Sequence, residues 1–192
     1  MRVAPIGCFY YVDPDAIKTK AILSAQITHN HPEGLAGAVA QATAVGLAFQ
    51  YALSGETIGT EKFLDTITAQ VTNVDQGFAQ ALDRIKSIRR GGVLEVIEAI
   101  GGRYNLSLRA IESVPAAIGA FVLTDSFRDA VVLAVNLGGD TDTIGAMAGA
   151  IAGAYYGCGK IPENWLNALE NNEKGRDYVI DCVKRIIPLL SH

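Results

Sequence analysis

Asn136-Leu137-Gly138-Gly139-Asp140-Thr141-Asp142-Thr143-Ile144-Gly145-Ala146-Met147-Ala148-Gly149-Ala150-Ile151-Ala152-Gly153-Ala154-Tyr155-Tyr156-Gly157 is the stretch on which the fold turns. From Ile144 onward small and apolar residues run on without a charge and without strand alternation, which predicts a buried helix. Gly145, Gly149, Gly153 and Gly157 recur at every fourth position, so they share one face. Each glycine costs a helix about 1 kcal/mol against alanine. A stripe of them predicts close packing against neighbouring helices, and a helix held that tightly holds its first turn rigidly too. Gly138 and Gly139 let the backbone turn sharply ahead of it. Asp140 and Asp142 then place two carboxylates at the helix start. Spacing alone leaves two readings open. In one, Asp140 caps the helix and Asp142 sits favourably in the first turn. In the other, Asp140, Asp142 and the Thr143 hydroxyl are oxygen ligands for a hard divalent cation.

Outward from this segment the period of 3.6 persists. Asp13-Pro14-Asp15 reads as the start of a helix running towards Thr28, and Asn30–Gly34 as a turn. Val39, Ala42, Gly46 and Phe49 mark a helix to about Leu53. Phe63, Leu64, Ile67 and Val71 mark another, and Phe78, Leu82, Ile85 and Ile88 a third, stopped at Arg89-Arg90-Gly91-Gly92. A short helix fits Val93–Ile100, and Gly101–Leu108 reads as a loop. Pro115 suits a first helical turn and predicts a helix from there to Leu123. Phe127–Leu137 follows, and Val179, Cys182, Val183, Ile186 and Leu190 give the last helix, with Pro188 bending its end. The expectation is an all-α chain forming a single domain over residues 1–192.

Composition narrows the function. The chain has 192 residues, 49% hydrophobic and only 19% charged, which excludes a disordered chain. Sixteen basic against twenty acidic residues give a net charge of −4, which argues against binding nucleic acid by phosphate neutralisation. So little charge also predicts apolar surface that a partner covers. The three cysteines, Cys8, Cys158 and Cys182, suggest neither a disulfide framework nor a zinc ribbon, and fit a reducing cytoplasmic setting. The uncharged run Thr143–Gly159 is shorter than the roughly 20 residues of a membrane span, and no membrane association is expected. His29 and His31 have only His192 as a further imidazole, so zinc is not expected. P-loop, G-x-G-x-x-G and G-x-S-x-G contexts are absent.

The block Gly138–Ile144, continuing through Ala148–Gly157, resembles the hallmark of the ADP-ribosylglycohydrolase family. Met1–Gly7, Ser24–His29, Glu112–Ile118 and Ile161–Trp165 fit the same family in the same order. The resemblance implies an orthogonal all-α helical bundle with a cleft for two Mg2+ ions, Mn2+ being an alternative. It implies hydrolysis of the glycosidic bond joining ADP-ribose to an acceptor on a protein or a metabolite. By that resemblance Asp140, Asp142 and Thr143 are metal ligands, and His29, Leu108, Gly138 and Gly139 are substrate-binding.

The chain departs from the family in two respects: the loop before Ala110 carries Asn105, Leu106 and Ser107 where the family often has glycines, and the N-terminal motifs are missing. The Thr-Asp-Asp motif that supplies the family's other metal ligands is absent, as are its Gly-Asn-Gly phosphate loop and its upstream catalytic acid. The sequence therefore reads as the C-terminal portion of the fold, lacking the N-terminal helices and carrying half of a dinuclear site. Self-association, or association with a complementary N-terminal chain, is the corresponding expectation. The alternative is a non-catalytic relative that binds ADP-ribose or serves as a structural or interaction module.

Overall fold

The structure is a computed structural model that describes residues 1–89, 91, 93–101 and 107–190. It divides into two compact units, Met1–Lys160 and Ile161–His192. The first unit contains α1 (Ala4–Phe9), α2 (Pro14–Gln26), α3 (Pro32–Ser54), α4 (Thr60–Thr72), α5 (Gln76–Asp83), a 3-10 turn at Arg84–Ser87, α6 (Val93–Gly101), α7 (Ala110–Val122), α8 (Phe127–Val135), α9 (Thr141–Tyr156) and a 3-10 turn at Cys158–Lys160. The second contains α10 (Glu163–Ala168), α11 (Arg176–Ile186) and a 3-10 turn at Ile187–Leu190. No strand occurs among the described residues, as the periodicity predicts.

The first unit is built around α3, which packs against α1, α2, α4, α7 and α9. Its sequence explains that position. Ala36, Val39, Ala40, Ala42, Ala44, Val45 and Ala48 are all buried, so it is apolar on every side. By length and composition alone α3 could cross a membrane, unlike the shorter run at Thr143–Gly159; 61% of its most apolar window is buried inside the unit as core. Small residues bring its neighbours close. A Cβ on Gly7 would collide with the Ala42 carbonyl oxygen, and one on Gly37 would come within 2.9 Å of Ala110 Cβ.

The glycine stripe of α9 turns out to be graded. A Cβ on Gly145 would lie 2.7 Å from Val135 Cγ1 of α8, whereas at Gly149 and Gly153 it would meet Val131 and Phe127 at ordinary distances of 3.5 and 3.8 Å. Gly157 meets nothing and instead ends the helix at φ 80°. Close packing therefore holds at the first glycine, and the last is a terminator.

Several boundaries differ from the sequence expectation. Pro115 lies inside α7, which begins at Ala110. The reason is tertiary, because the Ile111 N–H that would otherwise lack a partner donates to Glu33 Oε1 on α3 (3.3 Å). The third helix tightens to 3-10 geometry at Arg84 instead of continuing to Ile88. The last helix likewise becomes 3-10 at Ile187, where Pro188 follows. Two six-residue helices, α1 and α10, were not expected, being too short to show a period. Arg90 and Gly92 of the expected stop, and most of the Gly101–Leu108 loop, lie outside the described residues.

Candidate functional site

Between α2, α3, α7 and α9 lies a cavity of about 350 Å3. It draws His29, Leu108 and Thr143 together from three distant parts of the chain. Arg2, Thr28, Gly34, Gly37, Ser113 and Met147 contribute to the same walls. Gly138, Gly139, Asp140 and Asp142 do not line it; they form the turn and helix start immediately ahead of Thr143.

That turn is shaped by its glycines. Gly138 and Gly139 sit at φ 85° and 68°, in the left-handed region that side chains disfavour by about 1–2 kcal/mol. They reverse the chain between α8 and α9. Asp140 then occupies the N-cap position of α9, yet its side chain makes no capping hydrogen bond. The Asp142 carboxylate accepts from the Thr143 N–H at 2.7 Å. The Asp142 carboxyl is held below the ordinary carboxylate range, first by a hydrogen bond with the Asp140 carboxyl and then by that N–H. Capping is thus the role of Asp140 by position and not by bonding.

His29 closes α2. Its Nδ1 lies 2.8 Å from Thr28 Oγ1 in a hydrogen bond. Arg2 Nη2 donates to the same hydroxyl at 2.8 Å and to the Ser24 carbonyl oxygen at 2.7 Å. A Cβ on Gly34 would press to within 3.2 Å of His29 Cβ, so that glycine makes room for the imidazole. On α9, Met147 is buried behind the cavity and its carbonyl accepts from Gln41 Nε2 of α3 at 3.0 Å. Sequence reasoning did not single out Arg2, Ser113 or Met147. A lone arginine near the start carries no pattern, and the other two read simply as helix interior.

The donor set at the start of α9 consists of oxygens, two carboxylates and a hydroxyl, which is the chemistry a hard cation prefers. Among the described residues no three of His, Cys, Asp and Glu come together as a metal-sized group. Asp140, Asp142 and Thr143 therefore fit a share of a cation site and not the whole of one, since Mg2+ takes about six ligands.

An all-α bundle with a cavity between its central helices, and paired aspartates at the start of a glycine-striped helix, defines a class. The chain belongs to the ADP-ribosylglycohydrolase family, whose model matches residues 1–191. It is similar to ADP-ribosylhydrolase ARH3 of Bos taurus, at 36% identity over 202 residues covering 91% of this chain and 53% of that protein. It is also similar to an uncharacterized protein of Archaeoglobus fulgidus, at 32% identity over 173 residues covering 90% and 53%. Among solved structures, an "ADP-ribosylglycohydrolase-related protein complex" superposes with a TM-score of 0.65 at 29% identity, covering 86% of this chain and 52% of that one. The chain thus spans about half the length of the curated relatives it matches.

Proposed function

We propose that this chain supplies the ADP-ribose-binding cleft and part of the cation site of an ADP-ribosylglycohydrolase acting in a reducing, cytoplasmic setting. The observation that supports this is the convergence of His29, Leu108 and Thr143 on one cavity, with the aspartate pair immediately ahead of Thr143 in the chain. The reaction is hydrolysis at the anomeric carbon of the ribose. Water contributes its hydroxyl to that carbon, the bond to the acceptor breaks, and the acceptor leaves with the remaining proton.

In this reading Arg2 offers a cation suited to the pyrophosphate, Leu108 an apolar wall, and His29 a polar contact held by Thr28. Asp140, Asp142 and Thr143 would hold Mg2+, or Mn2+ in its place, and remain oriented because Gly145 seats α9 against α8. A bound divalent ion there supplies charge stabilisation and a more acidic water. The further ligands and the catalytic acid would come from a complementary N-terminal segment or chain. The test is release of ADP-ribose from a modified protein, with and without EDTA. Activity in millimolar Mg2+ that EDTA removes supports the reading. Activity that survives EDTA would sink the cation assignment.

The second reading is a non-catalytic module that binds ADP-ribose. It is favoured by the absence of a third acid beside the aspartate pair among the described residues. The release assay separates the two, because the module binds ADP-ribose in calorimetry while releasing none.

A further inference from the structure

Leu108 stands at the mouth of the cavity with 83% of its surface exposed, so burial does not hold it there. The backbone around it is nevertheless fastened by a chain of hydrogen bonds. Three are local: Ser107 N–H donates to Glu112 Oε2 at 2.9 Å, Arg109 N–H to Ser107 Oγ at 3.2 Å, and Ser113 Oγ to the Arg109 carbonyl at 3.2 Å. Two come from across the fold. Glu33 Oε2 on α3 accepts from Arg109 Nη2 at 2.7 Å, and Glu33 Oε1 accepts from the Ile111 N–H at 3.3 Å.

The pair is asymmetric in exposure. The Glu33 side chain is 13% exposed and that of Arg109 63%, so the carboxylate sits inside the joint and the guanidinium lies over it. Burial pushes the Glu33 carboxyl up, but the bonds from Arg109 and Ile111 outweigh it and hold it below its ordinary value. Docking of α3 on α7 does not depend on this pair, because the helices already meet closely at Gly37 and Ala110. An ion pair in such a place is weak evidence for stability; what it specifies is geometry.

We infer that Glu33 is a positioning residue of the cleft: its carboxylate pins residues 107–111 from α3, so that Leu108 is presented as a preformed apolar wall for the ligand. Preorganisation of this kind raises affinity by lowering the ordering cost on binding. The identity of the ligand as ADP-ribose rests on the reading above; the pinning itself does not.

The experiment combines ADP-ribose calorimetry with amide hydrogen exchange over residues 107–113 in wild type, Glu33→Gln and Glu33→Asp. Glu33→Gln is expected to weaken ADP-ribose binding about tenfold and to speed exchange in that segment, while exchange in α9 stays as in wild type. Glu33→Asp, which keeps the charge, recovers part of both. Unchanged exchange in Glu33→Gln, or faster exchange with wild-type affinity, overturns the inference. If wild type binds no ADP-ribose, the ligand reading falls, and exchange alone decides whether Glu33 pins the segment. If Glu33→Gln does not fold, Arg109→Gln opens the exposed side of the pair, and wild-type exchange in that variant overturns the inference.

Discussion

Asp75 and Asp140 occupy the same position on two helices and do different things. At the start of α5, Asp75 Oδ1 accepts from the Phe78 N–H at 2.8 Å. Asp13 on α2 and Ser126 on α8 make the same bond, at 2.9 and 3.0 Å. Asp140 makes none. The difference lies in the chain ahead of each residue. Asp13, Asp75 and Ser126 have extended backbones that turn the side chain onto the first turn, whereas Asp140 leaves the Gly138-Gly139 reversal at φ −80° and ψ 63°. A carboxylate not used by its helix is available to a ligand.

The widest test of that contrast is chemical. Asp140→Asn or Asp142→Asn should lower Mg2+-dependent release of ADP-ribose by about 100-fold or more in the assembled enzyme, since a ligand matters at least as much as its supporting bonds. Asp75→Asn should leave turnover near wild type. Equal losses in all three variants, measured as initial rates, would erase the distinction.

A second test acts on the seating of α9. Gly145→Ala should destabilise by about 1–3 kcal/mol in urea unfolding, because Val135 must move. Gly153→Ala, with room for a Cβ, should be stabilising by up to about 1 kcal/mol. If both behave alike, α9 is not held where the geometry says it is.

The third compares the caps directly. Asp75→Ala should cost about 1 kcal/mol, as capping residues do. Asp140→Ala, which removes no cap bond, should fall within about 0.5 kcal/mol of wild type. A loss at Asp140 matching that at Asp75 would restore the capping reading.

The smallest effect concerns α7, whose first turn is served by Glu33 from another helix. The Glu33 carboxyl titrates below its ordinary value of 4.5 when folded. The unfolded chain therefore binds that proton first as pH falls. The contribution is complete above the ordinary value and is lost as pH drops through the folded one. Urea midpoints between neutral and acid pH should fall less steeply for Glu33→Gln than for wild type. Parallel curves would mean that the pair is not linked to folding.

Much of this architecture was legible in advance, and what was missed follows a pattern. Helices with a clear apolar face, such as α4 with Phe63, Leu64, Ile67 and Val71, lie where the period puts them. Pro115 misled because the proline rule is local, while the partner that lets α7 start early is Glu33, 78 residues away from Ile111. The short helices α1 and α10 lack the length to display a period. At the site, the aspartates stood out by spacing, but spacing could not separate cap from ligand. The backbone angles of Asp140 add that its side chain does not cap α9. His29 and Leu108 were named only through family resemblance, since a histidine before a turn and a leucine in a loop carry no signal. Arg2 remained invisible because its partners, Ser24 and Thr28, lie 22 and 26 residues away along the chain.

The left-handed glycine pair also bears on the order in which the molecule assembles. Joining α8 to α9 through so short a reversal makes their contacts local in sequence, and local contacts close at small entropic loss. The bonds that frame the cavity are remote by comparison, Gln41 to Met147 spanning 106 residues and Glu33 to Arg109 spanning 76. Folding kinetics should reflect this. Substitutions at Val131 are expected to slow refolding, with φ-values towards one, while Gln41→Ala mainly speeds unfolding; the reverse pattern would contradict it. On this order the two aspartates are set at their helix tip early, and the walls of the cavity close beside Thr143 afterwards.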